Sequence, residues 1–120
     1  MEQQTAIEIY IKDCPNDRLF AWIESAVGPL GNPEEIGDAT LYPSPLGPVI
    51  ITPNIQDGPF VGVEFIMPHS PWATDVDCGR QAARELGCIV RCDPGQHFPE
   101  VDPLSDAVLE INGYTERIEN

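Results

Sequence analysis

The sequence predicts an α+β domain built on a single antiparallel sheet with two helices on one face. Three observations carry that expectation. A stretch near the start alternates apolar and polar residues; two later segments repeat apolar residues at helical spacing; and an Asn-Gly pair near the end separates two further alternating runs. At 120 residues the chain has room for one hydrophobic core, so residues 1–120 read as a single domain.

Taken in order, Thr5 to Lys12 places Ile7, Ile9 and Ile11 on one face and Glu8, Tyr10 and Lys12 on the other, the pattern of a half-buried strand. Pro15 suits a helix start and Asp17 suits the positive end of its dipole. Leu19, Phe20, Ile23 and Val27 then recur at helical spacing with Trp22 on the flank, until Gly28-Pro29 stops the helix. From Pro29 to Pro48 prolines and glycines dominate, which predicts a long surface connection with one short strand at Thr40 to Tyr42. Val49 to Thr52 and Phe60 to Met67 read as strands, separated by a turn region from Asn54 to Pro59.

The second helix carries the clearest local signals. Thr74 is placed to cap it, Asp75 and Asp77 suit its first turn, and Gly87 supplies a left-handed stop. Cys88 to Cys92 follows at once as a strand, and Asp93-Pro94-Gly95 turns the chain into a loop reaching Asp106. Asn112-Gly113 then predicts a two-residue hairpin pairing Ile111 with Tyr114, Glu110 with Thr115 and Val108 with Arg117. With right-handed crossovers, this order permits a ferredoxin-like βαββαβ sheet followed by a C-terminal β-hairpin.

Charge is the strongest global property. Twenty Asp and Glu stand against 6 Lys and Arg, giving a formal net charge of -14. Such a surface is repelled by nucleic acid and anionic membranes and attracts basic proteins. The polar opening Met1-Glu2-Gln3-Gln4 does not resemble a secretory signal, and no apolar run approaches the roughly 18 residues of a membrane span. A cytoplasmic protein is therefore expected, with Cys14, Cys78, Cys88 and Cys92 reduced and mostly buried.

Cys78, Cys88, Cys92, His69 and His97 lack zinc-site spacing, and Cys88 and Cys92 on one strand face stand about 13 Å apart, so buried thiols account for them better than a metal. Cys78 in the first turn of a helix could be an activated nucleophile with a histidine base, but no surrounding signature supports that pairing. Carboxylate pairs such as Asp75/Asp77, Glu34/Glu35 or Asp93/His97 fall in caps and loops, where capping and solvation suffice. No phosphate loop or nucleophile elbow is present in the sequence. Neither a cofactor nor catalysis is expected.

The acidic loops carry more weight. Glu34, Glu35 and Asp38 share one connection; Asp93, Glu100, Asp102 and Asp106 share another; Trp72 and Phe98 lie near the ends of such segments. Negative charge speeds encounter with a basic protein, and exposed aromatics anchor the complex. These nine residues are the expected partner-binding set; the simpler reading is a solvated acidic face.

Trp72 to Gly95, above all CGRQAARELGCIVRCDPG, together with the terminal VLEINGY, resembles the small acidic immunity proteins of bacterial polymorphic-toxin systems. The resemblance implies a cytoplasmic, non-catalytic protein that binds one cognate toxin domain, such as a nuclease with a basic groove, and blocks its active site. Its partner is then a basic toxin or effector, and the free protein a monomer or weak homodimer. A ferredoxin-like small-molecule-binding or regulatory domain is the alternative.

Overall fold

The computed structural model describes residues 6–55 and 58–119. Met1 to Thr5 and part of the turn expected between Asn54 and Pro59 lie outside the described residues. The elements are β1 (Ala6–Lys12), α1 (Asn16–Val27), β2 (Glu34–Ile36), β3 (Ala39–Tyr42), β4 (Val49–Ile55), β5 (Phe60–Ile66), α2 (Asp75–Leu86), β6 (Ile89–Cys92), β7 (Val108–Asn112) and β8 (Thr115–Glu119), with a short 3-10 turn at Gly95–His97. The strands form one sheet in the order β2-β3-β4-β5-β1-β6-β7-β8, and every pairing is antiparallel.

The alternation in β1 decides the layering. Ile7, Ile9 and Ile11 are fully buried on the face the helices cover, and the register sets Ile7 beside Phe65 and Ile9 beside Val63. Val90, Cys92, Leu109 and Ile111 extend the same buried face across β6 and β7. Helix α2 approaches it closely through Gly79, where a Cβ would meet Ile111 and Cys92 at 3.2 and 3.4 Å. The predicted caps are present: Thr74 accepts from the Asp77 amide at 3.2 Å, and Gly87 is left-handed. Asp75 has a further role, since its Oδ1 accepts from the backbone amide of Glu8 at 3.1 Å. That amide lies just past the reach of β6, which pairs only with Tyr10 to Lys12.

The helices are locked together by aromatic side chains. Trp22 and Trp72 stack at 5.7 Å, and Phe65 lies 4.8 Å from the Trp72 ring. Trp22 Nε1 donates to Glu85 Oε1 at 3.0 Å and Trp72 Nε1 to Gln81 Oε1 at 2.7 Å, so both indoles are buried with their N–H groups satisfied. Arg18 of α1 donates to the Leu86 carbonyl at 2.7 Å, a cation at the negative end of α2.

Four expectations are corrected. The connection from Pro29 to Pro48 holds a hairpin, β2 paired with β3 around Gly37-Asp38, so the sheet has eight strands instead of four core strands and a terminal hairpin. Gly37 has the positive φ of 62° that this turn needs. Trp22 is a core residue, 5% exposed, not a flank residue. The β7–β8 hairpin turns at Gly113-Tyr114 instead of Asn112-Gly113, pairing Glu110 with Arg117 and Leu109 with Ile118. This register places Ile118 against the core and gives Glu110 an ion pair with Arg117 at 3.2 Å. Finally, Cys14 and Cys88 are only half-buried, whereas Cys78 and Cys92 are fully enclosed.

Replacing Trp72 with Ala removes a ring buried between both helices and the sheet. The expected cost is about 3–5 kcal/mol, read from urea denaturation, whereas Leu104→Ala at a 92% exposed position should change stability by less than about 0.5 kcal/mol.

Candidate functional site

The two acidic groups expected from the sequence occupy different parts of the fold. Glu34, Glu35 and Asp38 are exposed on the β2–β3 hairpin at one edge of the sheet. Asp93, Glu100, Asp102 and Asp106 are exposed on the connection between β6 and β7, five strand spacings away, roughly 24 Å. This connection is organised by its own carboxylates: Asp93 Oδ1 accepts from the Gly95 amide at 2.7 Å and Asp102 Oδ1 from the Leu104 amide at 2.9 Å. It encloses a cavity of about 380 Å³ lined mainly by Pro94, Pro99, Val101, Pro103 and Ala107, with Asp93 and Asp102 at its polar side.

The expected aromatic anchors are corrected. Trp72 is 4% exposed because it fills the junction between α1, α2 and β5, and Phe98 is half-buried against the core. Among the described residues, the large apolar side chains that reach solvent are Ile36, Leu46, Ile66, Leu104 and Tyr114. A place near the end of a connecting segment predicts exposure for Trp72, whereas its burial depends on contacts with residues distant in the chain.

The sheet face opposite the helices splits into two halves of different electrostatic character. Across β6, β7 and β8 the charges are satisfied internally: Arg91 pairs with Glu110 at 2.9 Å, and Arg117 pairs with Glu110 and Glu119. The Arg91 guanidinium also lies 4.7 Å from the centre of the Phe60 ring. Glu110 is partly buried, which works upward on its carboxyl, but the two arginines outweigh this and hold it below the usual carboxylate value. Across β1 and β5 the arrangement reverses. Glu8 and Glu64 stand directly opposite each other in register, and no ion pair or hydrogen bond to a cation engages Glu64 among the described residues. Burial first, and then the Glu8 charge, push the Glu64 carboxyl upward. Tyr10 donates to Glu8 Oε1 at 3.1 Å; burial, with Glu8, Asp75 and Asp93 nearby, holds its phenol protonated far above the usual range.

The cysteines occupy environments that suppress thiolate formation. Burial, reinforced by the negative charges of Asp75 and Asp77, pushes the Cys78 thiol well up, overriding the helix dipole that would lower it. Burial likewise pushes Cys92 up to about 12 and Cys14 up to about 11, the latter with Cys88 as its thiol neighbour. His97 Nε2 lies 3.2 Å from Thr74 Oγ1, beside the α2 cap. No group of three or more His, Cys, Asp or Glu among the described residues is arranged to hold a metal ion.

Two pH effects of opposite sign follow. The hydrogen bond from Arg80 holds the Glu116 carboxyl below its ordinary value, so its stabilisation is present above the unfolded-state value and is lost as pH falls through the folded one. Glu64 is raised, so its contribution is favourable below the unfolded-state value and is lost as pH rises through the folded one. Glu64→Gln should therefore raise the Tm at pH 7 by about 1–5 °C, with little effect at pH 3.5. Glu116→Gln should lower the Tm at pH 7, and this difference should shrink on acidification; scanning calorimetry at both pH values checks the pair.

Comparison with known protein families, with curated proteins and with solved structures yields no match.

Proposed function

We propose that this chain is an immunity-type inhibitor that binds a basic bacterial toxin in the cytoplasm and blocks its active site with an acidic surface. The observation that carries the reading is the distribution of cations. Of the 6 Lys and Arg in the chain, Arg18, Arg80, Arg84, Arg91 and Arg117 are engaged by other groups of the same chain. Arg18 holds a helix end, Arg84 lies over the Tyr114 ring, and the other three pair with Glu110, Glu116 and Glu119. The remaining acidic residues, including both loop groups, therefore dominate the outer field. A chain of this net charge repels its own copies, which favours a monomer and a partner of opposite sign. No helix among the described residues is long and apolar enough to cross a membrane.

The inhibitor acts by occupation, not chemistry. Its loops draw in the basic groove of the toxin, and bound carboxylates take the place of the phosphates or other anions that the groove accommodates. A second reading, a small-molecule-binding or regulatory domain with a ferredoxin-like core, is favoured by the cavity behind the β6–β7 connection. The placement of β4-β5-β1-β6 at the centre of the sheet supports that description of the core.

Co-expression with a basic toxin encoded beside it should restore growth, and the purified pair should form a 1:1 complex. Neutralising Glu34, Glu35 and Asp38, or Asp93, Glu100, Asp102 and Asp106, with the corresponding amides should slow association several-fold while leaving the Tm within about 2 °C. Failure of any adjacent gene product to bind, with metabolite-induced thermal stabilisation instead, would favour the second reading.

A further inference from the structure

We infer that the acidic half of the open sheet face, centred on Glu8 and Glu64, seats an arginine or lysine presented between aliphatic side chains by a basic partner protein. The inference deepens the inhibitor reading and rests on it for the partner's charge. The register places Glu34, Leu41, Ile50, Glu64 and Glu8 in one continuous row across β2, β3, β4, β5 and β1. Four strand spacings make this row roughly 19 Å long, with apolar residues in its middle and carboxylates at both ends. Ile66 and Ile36 flank it at 38% and 50% exposure.

Two carboxylates directly opposite each other weaken the free fold. The same face shows how the chain satisfies such charges elsewhere, since Arg91 and Arg117 both engage Glu110. No equivalent cation serves Glu64 among the described residues. Lys12 shares the face but is aligned with Phe60, with Tyr10 intervening between it and Glu8 along β1. Tyr10 fixes Glu8 by donating to Oε1, which leaves Glu64 and the remaining Glu8 oxygen as acceptors for an incoming guanidinium or ammonium. Leu41, Ile50 and Ile66 supply the apolar contact that a flanking aliphatic residue would cover. A second copy of this chain is a poor occupant, because it would bring another acidic face. The loop carboxylates then steer the approach, while Glu8 and Glu64 hold the bound partner.

The probe is the synthetic peptide acetyl-Leu-Ser-Arg-Ser-Leu-amide, which in an extended form places its Leu, Arg and Leu side chains on one face. Its citrulline counterpart, neutral at the central position, is the control. Titrated into the isotope-labelled full chain, the arginine peptide should shift amide signals at Glu8, Ile50 and Glu64. The Glu8→Gln, Glu64→Gln double variant should weaken binding about tenfold, and Asp17→Asn, at an exposed position in the first turn of α1, by less than about twofold. Folding of the double variant is checked by its Tm, expected to match or exceed that of the parent. Shifts confined to residues 34–38 or 93–106, equal binding of the citrulline peptide, no binding, or a dimer of the free chain that covers this face would each overturn the inference. None of those results touches the inhibitor reading, whose own test is neutralisation of a toxic partner on co-expression; a positive peptide result with no such partner would leave a basic-protein docking face without that biology.

Discussion

Two helices of twelve residues shield one face of an eight-stranded sheet, and that one-sided cover sets the terms for the rest of the molecule. Each helix is about 18 Å long, enough to bury the inward residues of the central strands but not to wrap both sides. The covered face can therefore be continuously apolar, as Ile7, Ile9, Ile11, Val63, Phe65 and Val90 are. The opposite face must be polar or must be covered by another molecule. The Trp22, Trp72 and Phe65 cluster holds the two helices in position, and removing it would loosen the layer that makes the two faces different.

The uncovered face turns this constraint into an electrostatic asymmetry. On β6 to β8 the chain spends its scarce cations on Glu110 and Glu119, leaving a neutralised surface. On β1 and β5 it leaves Glu8 facing Glu64. A like-charge pair in a strand register is unfavourable for folding alone, and such a choice is explained when the opposite charge arrives with a binding partner. The half-exposed aliphatic residues alongside would give such a partner an apolar contact, so that attraction and anchoring would come from the same surface.

Features with a local cause were legible in the sequence. β1 follows from strict alternation, and the ends of α2 follow from Thr74 and Gly87. The hairpin is legible, but its turn lies one residue beyond Asn112-Gly113, because that pair is a strong local signal while the actual register is set by Ile118 reaching the core and Arg117 reaching Glu110. β2 was missed since its three residues are all exposed and carry no buried periodicity. For the candidate site, the acidic loops were visible as composition, but their separation across the sheet was not. Alternation puts Glu8 on the polar face of β1, yet nothing local indicates that β1 and β5 become neighbours with Glu8 and Glu64 aligned. The burial of Trp72 is hidden for the same reason, because it is a property of the helix–helix junction.

The most direct measurement of the central claim is the association rate between this chain and the basic toxin proposed as its partner, as a function of ionic strength, followed by stopped-flow tryptophan fluorescence. An acidic surface capturing a basic groove predicts a rate that falls about tenfold or more between 50 and 500 mM salt, with a much smaller change in dissociation. An association rate independent of salt would contradict the account, because the unpaired acidic surface would then have no part in recognition.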